Sequence, residues 1–166
     1  MKFKKIIDVN GVPRSGTSWL AQLIDSNENV RFKFQPLFSN SFKDRISVNT
    51  SKRALIRYYN ELYDFSDEYL DRTKQKAIGI YPKFGNKNFL PEILSSKHVT
   101  HHFLIPHLLE TLEFYHEIFI IRNPCGVLNS FKNYTSDFDP KWNFSDEWEY
   151  APKRGQFRPE NYFGLN

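Results

Sequence analysis

The sequence has one cysteine, Cys125, in 166 residues. A lone thiol excludes an intramolecular disulfide framework and any cysteine-based zinc cluster. Long hydrophobic runs are missing as well. The longest aliphatic stretch, residues 118–121, is strand-sized and cannot span a bilayer. The basic start, residues 1–5, is followed only by Ile6 and Ile7 before Asp8, too short an apolar core for a secretory signal. Charge of one sign is scarce: Lys plus Arg less Asp plus Glu is 23 − 19 = +4, with no dense basic run. Such a balance argues against a nucleic-acid polymer as partner and is compatible with a small anionic ligand. These absences lead to the expectation of a cytoplasmic globular protein without a membrane partner.

Aromatic residues are plentiful, at 16 Phe, 9 Tyr and 3 Trp, enough apolar surface for a packed core. The length suits one domain over residues 1–166. Residues 5–9 read as a short strand ending at the turn pair Asn10-Gly11. A glycine-containing loop over 11–16 then leads into a helix over 17–24, where Leu20, Leu23 and Ile24 recur at helical spacing. Residues 28–50 read as loop. Residues 51–62 form an amphipathic helix with Ser51 as its cap and Leu55, Tyr58, Tyr59 and Leu62 on one stripe. Residues 77–81 read as a second strand, 91–94 as a helical turn at most, and a helix is expected to begin near Pro106. Residues 117–122 read as the clearest buried strand, followed after Asn123-Pro124 by a helix over 126–134. Alternating strands and helices predict an α/β fold, a mostly parallel sheet covered by helices in three αβα layers.

Chemistry concentrates first at Val12-Pro-Arg-Ser-Gly-Thr-Ser-Trp-Leu20. A glycine loop feeding a helix N-terminus presents backbone N–H groups and the positive end of the helix dipole to an anion. Arg14 adds a fork-shaped cation, and Ser15, Thr17 and Ser18 add hydroxyl donors. The loop approaches the Walker pattern, with Gly11 and Gly16 five apart and Ser18 in the hydroxyl place. Thr17, however, stands where that pattern has its lysine. The second signal is Ile118-Phe-Ile-Ile-Arg-Asn-Pro-Cys-Gly-Val-Leu-Asn-Ser130, in which Arg122 ends a strand and Ser130 lies on the next helix. Ligands of open α/β sheets bind at that carboxyl edge.

Together the two motifs resemble those of the sulfotransferases that use 3′-phosphoadenosine-5′-phosphosulfate (PAPS). The first is matched by Pro13 to Trp19. The second, Arg-Asn/Asp-Pro with a serine eight residues after the arginine, is matched by Arg122 and Ser130. The resemblance implies a P-loop-like sulfotransferase fold and a sulfuryl donor, PAPS, with no metal. It implies that Arg14, Ser15, Gly16, Thr17, Ser18 and Trp19 bind the 5′-phosphosulfate, and that Arg122 and Ser130 clamp the 3′-phosphate. The family's usual Lys-Asp after Arg-Asn-Pro is replaced by Cys125-Gly126, and its C-terminal adenine loop finds only a faint echo in Lys153-Arg154-Gly155. Thr100-His101 is similar to the family's Thr-His, which implies His101 as general base with His102 as the neighbour able to replace it, beside Arg14 as a charge-stabilising group. Some branches use a glutamate base instead; Glu28 follows the first helix but stands in no such motif. The expected reaction moves a sulfuryl group to a hydroxyl or amine of a small-molecule or carbohydrate acceptor. Phe32, Phe34, Phe38 and Phe42 belong to the acceptor pocket or to the core. The alternatives are a small-molecule kinase or other P-loop nucleotide enzyme, and an inactive nucleotide-binding fragment, since the chain is short for the family.

Overall fold

A computed structural model describes residues 1–133. Four strands, β1 (Lys5–Gly11), β2 (Val30–Phe34), β3 (Ile93–Lys97) and β4 (Tyr115–Ile120), form one sheet in the order β2-β3-β1-β4. Every pairing is parallel. The helices are α1 (Thr17–Asp25), α2 (Lys52–Asp64), α3 (Glu68–Asp71), α4 (Thr73–Ala77), α5 (Ile105–Thr111) and α6 (Pro124–Lys132). The expected α/β architecture is therefore present, with a sheet that is parallel throughout.

Side chains alternate across each strand, so the sheet sorts its residues to two faces. On one face Ile6 of β1 and Leu94 of β3 join Leu55, Tyr58, Tyr59, Leu62 and Tyr63 of α2 and Leu108 of α5 in the main core. On the other, Val30 and Phe32 of β2 pack with Ala21 of α1. Helix α2 forms as its sequence dictates: its buried residues recur along one stripe, and the Ser51 hydroxyl accepts the backbone N–H of Ala54.

Four sequence expectations are corrected. Residues 28–50 are not all loop, because β2 lies within them. Its apolar residues face α1, while its two cations point to the other face and are matched there. Arg31 donates to the Tyr63 carbonyl over the Tyr63 ring, and Lys33 pairs with Asp71 at 2.8 Å. Residues 77–81 are not a strand: α4 ends at Ala77, and Gly79 turns the chain at φ +77°. Residues 91–94 are not a helical turn: β3 begins at Ile93. Last, β4 is an edge strand of the described sheet rather than a buried one, with Ile118 and Phe119 exposed at 39 % and 45 %. Among the described residues no helix is long and apolar enough to cross a membrane.

The topology fixes where a ligand can bind. The chain leaves β1 through α1 on one face of the sheet and leaves β3 through α5 on the other. Beyond their carboxyl ends the two connections diverge, and a crevice opens between them. Crevices of this kind are where parallel α/β sheets bind ligands. The loop after Gly11 and the segment after Lys97 form its walls.

Candidate active site

Helix α1 starts from a loop bent by two left-handed residues, Arg14 at φ +67° and Gly16 at φ +109°. Gly16 is the residue before the helix and caps it with no side-chain bond, so the first amides of α1 remain available to a ligand. Gly11 is required by space. A Cβ there would lie 2.7 Å from Ser15 Oγ and 2.8 Å from the Ile120 carbonyl oxygen. Ser15 and Thr17 are buried, and Ser15 Oγ finds no hydrogen-bond partner among the described residues. A buried hydroxyl of that kind beside open amides is a donor awaiting an anion.

The two motifs meet in space. Arg122 Nη1 donates to the Arg14 carbonyl at 2.8 Å, across 108 residues of sequence. Arg14 Nε donates in turn to Ser130 Oγ at 3.0 Å. Helix α6, which carries Ser130, is started by Pro124 in its first turn and by the Asn123 side chain, which accepts the Cys125 N–H. The Cys125-Gly126 departure from the family pattern has a steric use. The Arg122 guanidinium lies against Gly126, where an added Cβ would sit 3.3 Å from its Nε.

A lysine that the sequence reading passed over completes the cationic lining. Lys97, the last residue of β3, points to the α1 face and donates from Nζ to Ser18 Oγ at 3.0 Å. Burial, with Arg72 and Arg14 nearby, pulls its pKa down from 10.5 to about 8. Arg72 stacks over the Phe34 ring at 4.1 Å, and Lys97 lies 5.0 Å from the centre of that ring. Lys97 thus brings to the loop the ammonium that Thr17 cannot supply. The period-2 pattern of β3 is the signal that would have found it, since position 97 falls on the α1 face once 93–97 is read as a strand.

The remaining predicted residues are divided. Trp19 is 66 % exposed on α1. His102 packs edge-on against Phe119, with ring centres 5.1 Å apart, and bonds to the backbone of Gly11; its pKa is lowered, mainly by burial. His101 sits at φ +67° with its ring between Phe38 and Phe103, and its Nδ1 lies 2.7 Å from Thr100 Oγ1. Burial lowers its pKa from 6.5 to about 4. Phe32 and Phe42 belong to the two cores, while Phe38 is half exposed beside His101. Glu28 precedes β2, at the amino ends of the strands, whereas this loop lies at their carboxyl ends. Lys153-Arg154-Gly155 lies outside the described residues. Among the described residues no group of three or more His, Cys, Asp or Glu is placed to hold a metal ion.

Behind the crevice, under β1, lies a buried polar cluster that sequence reading missed entirely. Asn10 Nδ2 donates to both Glu117 oxygens at 2.9 and 3.0 Å, and Tyr115 Oη donates to Glu117 Oε2 at 2.6 Å. Burial, with Asp8 adding repulsion, raises the Glu117 pKa from 4.5 to about 8. The folded protein therefore holds this proton more tightly than the unfolded chain does. Its contribution to stability is complete below about pH 4.5 and is lost as the pH rises through about 8. Glu117→Gln should flatten that decline, so that wild type and variant melting curves diverge most between these two pH values. Parallel declines in both proteins would place the titrating group elsewhere.

The profile described as "Sulfotransferase family" matches residues 7–157. No curated protein matches the chain at a significant level.

Proposed function

The chain belongs to the sulfotransferase family, and on that premise we propose that it transfers the sulfuryl group of PAPS to a hydroxyl or amine acceptor. The observation that carries the reading is the contact between motifs: Arg122 grips the Arg14 carbonyl while Arg14 reaches Ser130. One rigid constellation of donors is suited to both ends of a bisphosphate. The open amides of α1, the buried Ser15 hydroxyl and the Gly11 approach fit a 5′-phosphosulfate. Arg122 and Ser130 fit the 3′-phosphate.

In the reaction, charge moves onto the oxygen that leaves with adenosine 3′,5′-bisphosphate, as it does in phosphoryl transfer. Arg14, Lys97, Thr17 and Ser18 surround that developing charge and stabilise it without a metal ion. A histidine of the segment after β3 takes the acceptor's proton; the Thr-His pattern points to His101, but burial makes that ring a weak base. Phe38, half exposed beside it, supports an acceptor site on this side of the crevice.

Transfer of label from sulfur-labelled PAPS to a panel of alcohols, phenols, amines and sugars tests the reading. ATP with Mg²⁺ serves as the competing donor, and preferential use of ATP would replace sulfuryl transfer by phosphoryl transfer. Lys97→Met should lower turnover by about 100-fold, the usual effect of removing one preorganised donor to developing charge. Bisphosphate affinity should change much less. Equal losses in both would make Lys97 a binding residue without a role in the transition state.

A further inference from the structure

The main-core face of the sheet holds a small cavity beside the crevice, walled by Leu37, Leu104 and Leu108 and by His101. Its polar lining includes Asp8, Asn10, Tyr58, Ser96 and His98, all buried. Asn10, Tyr58 and His98 stand out. In each of them one polar atom, Asn10 Oδ1, Tyr58 Oη and His98 Nδ1, has no hydrogen-bond partner among the described residues. Burying such atoms unsatisfied is costly, and three around one cavity mark a place for a hydrogen-bonding guest. The space suits about one water-sized group.

The neighbours of His98 determine which of its nitrogens carries a proton. Ser96 Oγ donates its only hydrogen to Asp8 Oδ1 at 2.5 Å, and the Ser96 backbone N–H donates to the same oxygen at 3.1 Å. With that hydrogen spent, Ser96 Oγ can only accept from His98 Nε2, 2.9 Å away, and Asp8 Oδ2 lies 3.6 Å from the same nitrogen. The hydrogen of a neutral His98 therefore sits on Nε2, leaving a bare lone pair on Nδ1. Two side chains on neighbouring strands, Ser96 and Asp8, thus reinforce the Nε2–H form that an isolated neutral ring already favours. His101 is differently placed: its Nδ1 is engaged by Thr100, its ring is held between aromatics, and burial weakens it as a base.

We infer that His98 is the catalytic residue that takes the acceptor's proton, that Asp8 and Ser96 position it, and that the cavity shared with Asn10 and Tyr58 admits a hydroxyl-sized, uncharged head group. This rests on the sulfuryl-transfer reading and names the acceptor class, an unhindered alcohol. The acceptor O–H bond breaks and its proton moves to His98 Nδ1, forming an imidazolium held by Ser96 and Asp8. The oxygen's electron pair forms the bond to sulfur. The sulfur–oxygen bond to the phosphate breaks, and its electrons leave with adenosine 3′,5′-bisphosphate. Burial holds the Tyr58 phenol protonated, so its hydroxyl can donate to the incoming oxygen. The Asp8 carboxyl group and the leucines in the cavity wall oppose an anionic head group.

Histidine ring nitrogens in the full chain, observed by nitrogen-15 NMR, test the assignment. His98 should show a protonated Nε2 and a bare Nδ1, and Ser96→Ala should relax that form toward the tautomer mixture of an isolated ring. In the presence of adenosine 3′,5′-bisphosphate, n-propanol should shift the His98 Nδ1 signal in the wild type and not in Tyr58→Phe. A protonated Nδ1 overturns the assignment, and so does an Nδ1 that ignores n-propanol, which would mean a cavity for water alone. In the transfer assay His98→Gln should lose turnover by about 1,000-fold, within the range for a general base, with bisphosphate affinity held within about twofold. Tyr58→Phe, which deletes one oxygen and preserves the packing, should raise the acceptor KM and leave that affinity unchanged, which guards against a His98 variant that does not fold. A chain that transfers sulfuryl groups while His98→Gln retains turnover overturns the assignment alone. A chain that binds no bisphosphate overturns the transfer reading together with it.

Discussion

Adenosine 3′,5′-bisphosphate should raise the melting temperature of the wild-type chain, and Arg122→Ala should remove most of the rise. Arg122 spends one N–H on the Arg14 carbonyl, and the rest of its exposed fork remains available to a phosphate. A hydrogen bond to a charged group contributes about 1.5–3 kcal/mol, and a guanidinium fork makes two to one phosphate. Removing the side chain also releases the Arg14 loop. A loss of about 3 kcal/mol corresponds to on the order of 100-fold in Kd. A ligand at about 100 times Kd stabilises the folded state by about 2.7 kcal/mol. For a chain of this length that amounts to about 5–10 °C. At the same ligand concentration the variant, with the ligand now near its own Kd, should gain only about 1 °C. Arg122→Lys should recover little, because a point charge cannot both hold the carbonyl and fork onto a phosphate. Arg14→Ala should weaken binding similarly, since it loses the tie to Ser130. If Arg122→Ala is stabilised as much as the wild type, the 3′-phosphate lies elsewhere.

The difference between what the sequence disclosed and what it hid follows from where each side chain points. The loop from Gly11 to Thr17 and its helix were legible because glycine spacing and helix starts are local properties. The eight-residue step from Arg122 to Ser130 was legible for the same reason, since both motifs are short and contiguous. Their mutual contact depends on β4 pairing with β1, which no local pattern states. Strand β2 was hidden because its polar positions, Arg31 and Lys33, face protein and are matched there by Tyr63 and Asp71. Alternation in a chain usually means one face in water. Strand β3 was hidden because its buried residues include Ser95 and Ser96, poor strand formers by composition. They are held instead by specific bonds, Ser95 Oγ to the Ile7 carbonyl and Ser96 Oγ to Asp8. With β3 misread, Lys97 and His98 lost their faces. One belongs to the anion loop on the α1 side, the other to the polar cavity on the α2 side. The last residue of β3 and the residue just after it serve two different parts of the site, which a linear reading of residues 97–102 merges into one.

Among the described glycines, Gly11→Ala should be the most damaging substitution. The new Cβ would lie 2.7 Å from Ser15 Oγ, 2.8 Å from the Ile120 carbonyl oxygen and 3.0 Å from Thr17 Cγ2. The serine can rotate, but the carbonyl belongs to β4, which pairs with β1 at this position. Relief therefore requires the two strands to part at their carboxyl ends or the loop to swing away from the sheet. Either movement displaces Arg14 from Arg122 and Ser130, the contact on which donor binding depends. Overpacking of this kind costs about 1–3 kcal/mol of stability. The binding loss should be larger, on the order of 1,000-fold, because several charge-assisted bonds lose their geometry together. Gly16→Ala is the instructive comparison. Its Cβ would meet nothing within 4 Å, but the backbone sits at φ +109°, where a side chain is strained. That variant should lose about 1–3 kcal/mol of stability through backbone strain alone, and its loop still reaches both arginine contacts. Melting curves and bisphosphate titrations on the two variants separate the effects: similar stability losses, with affinity collapsing only in Gly11→Ala. Unchanged affinity in Gly11→Ala would show that the nucleotide does not bind in this loop, and Arg14, Arg122 and Ser130 would then be a structural clasp between β1 and β4.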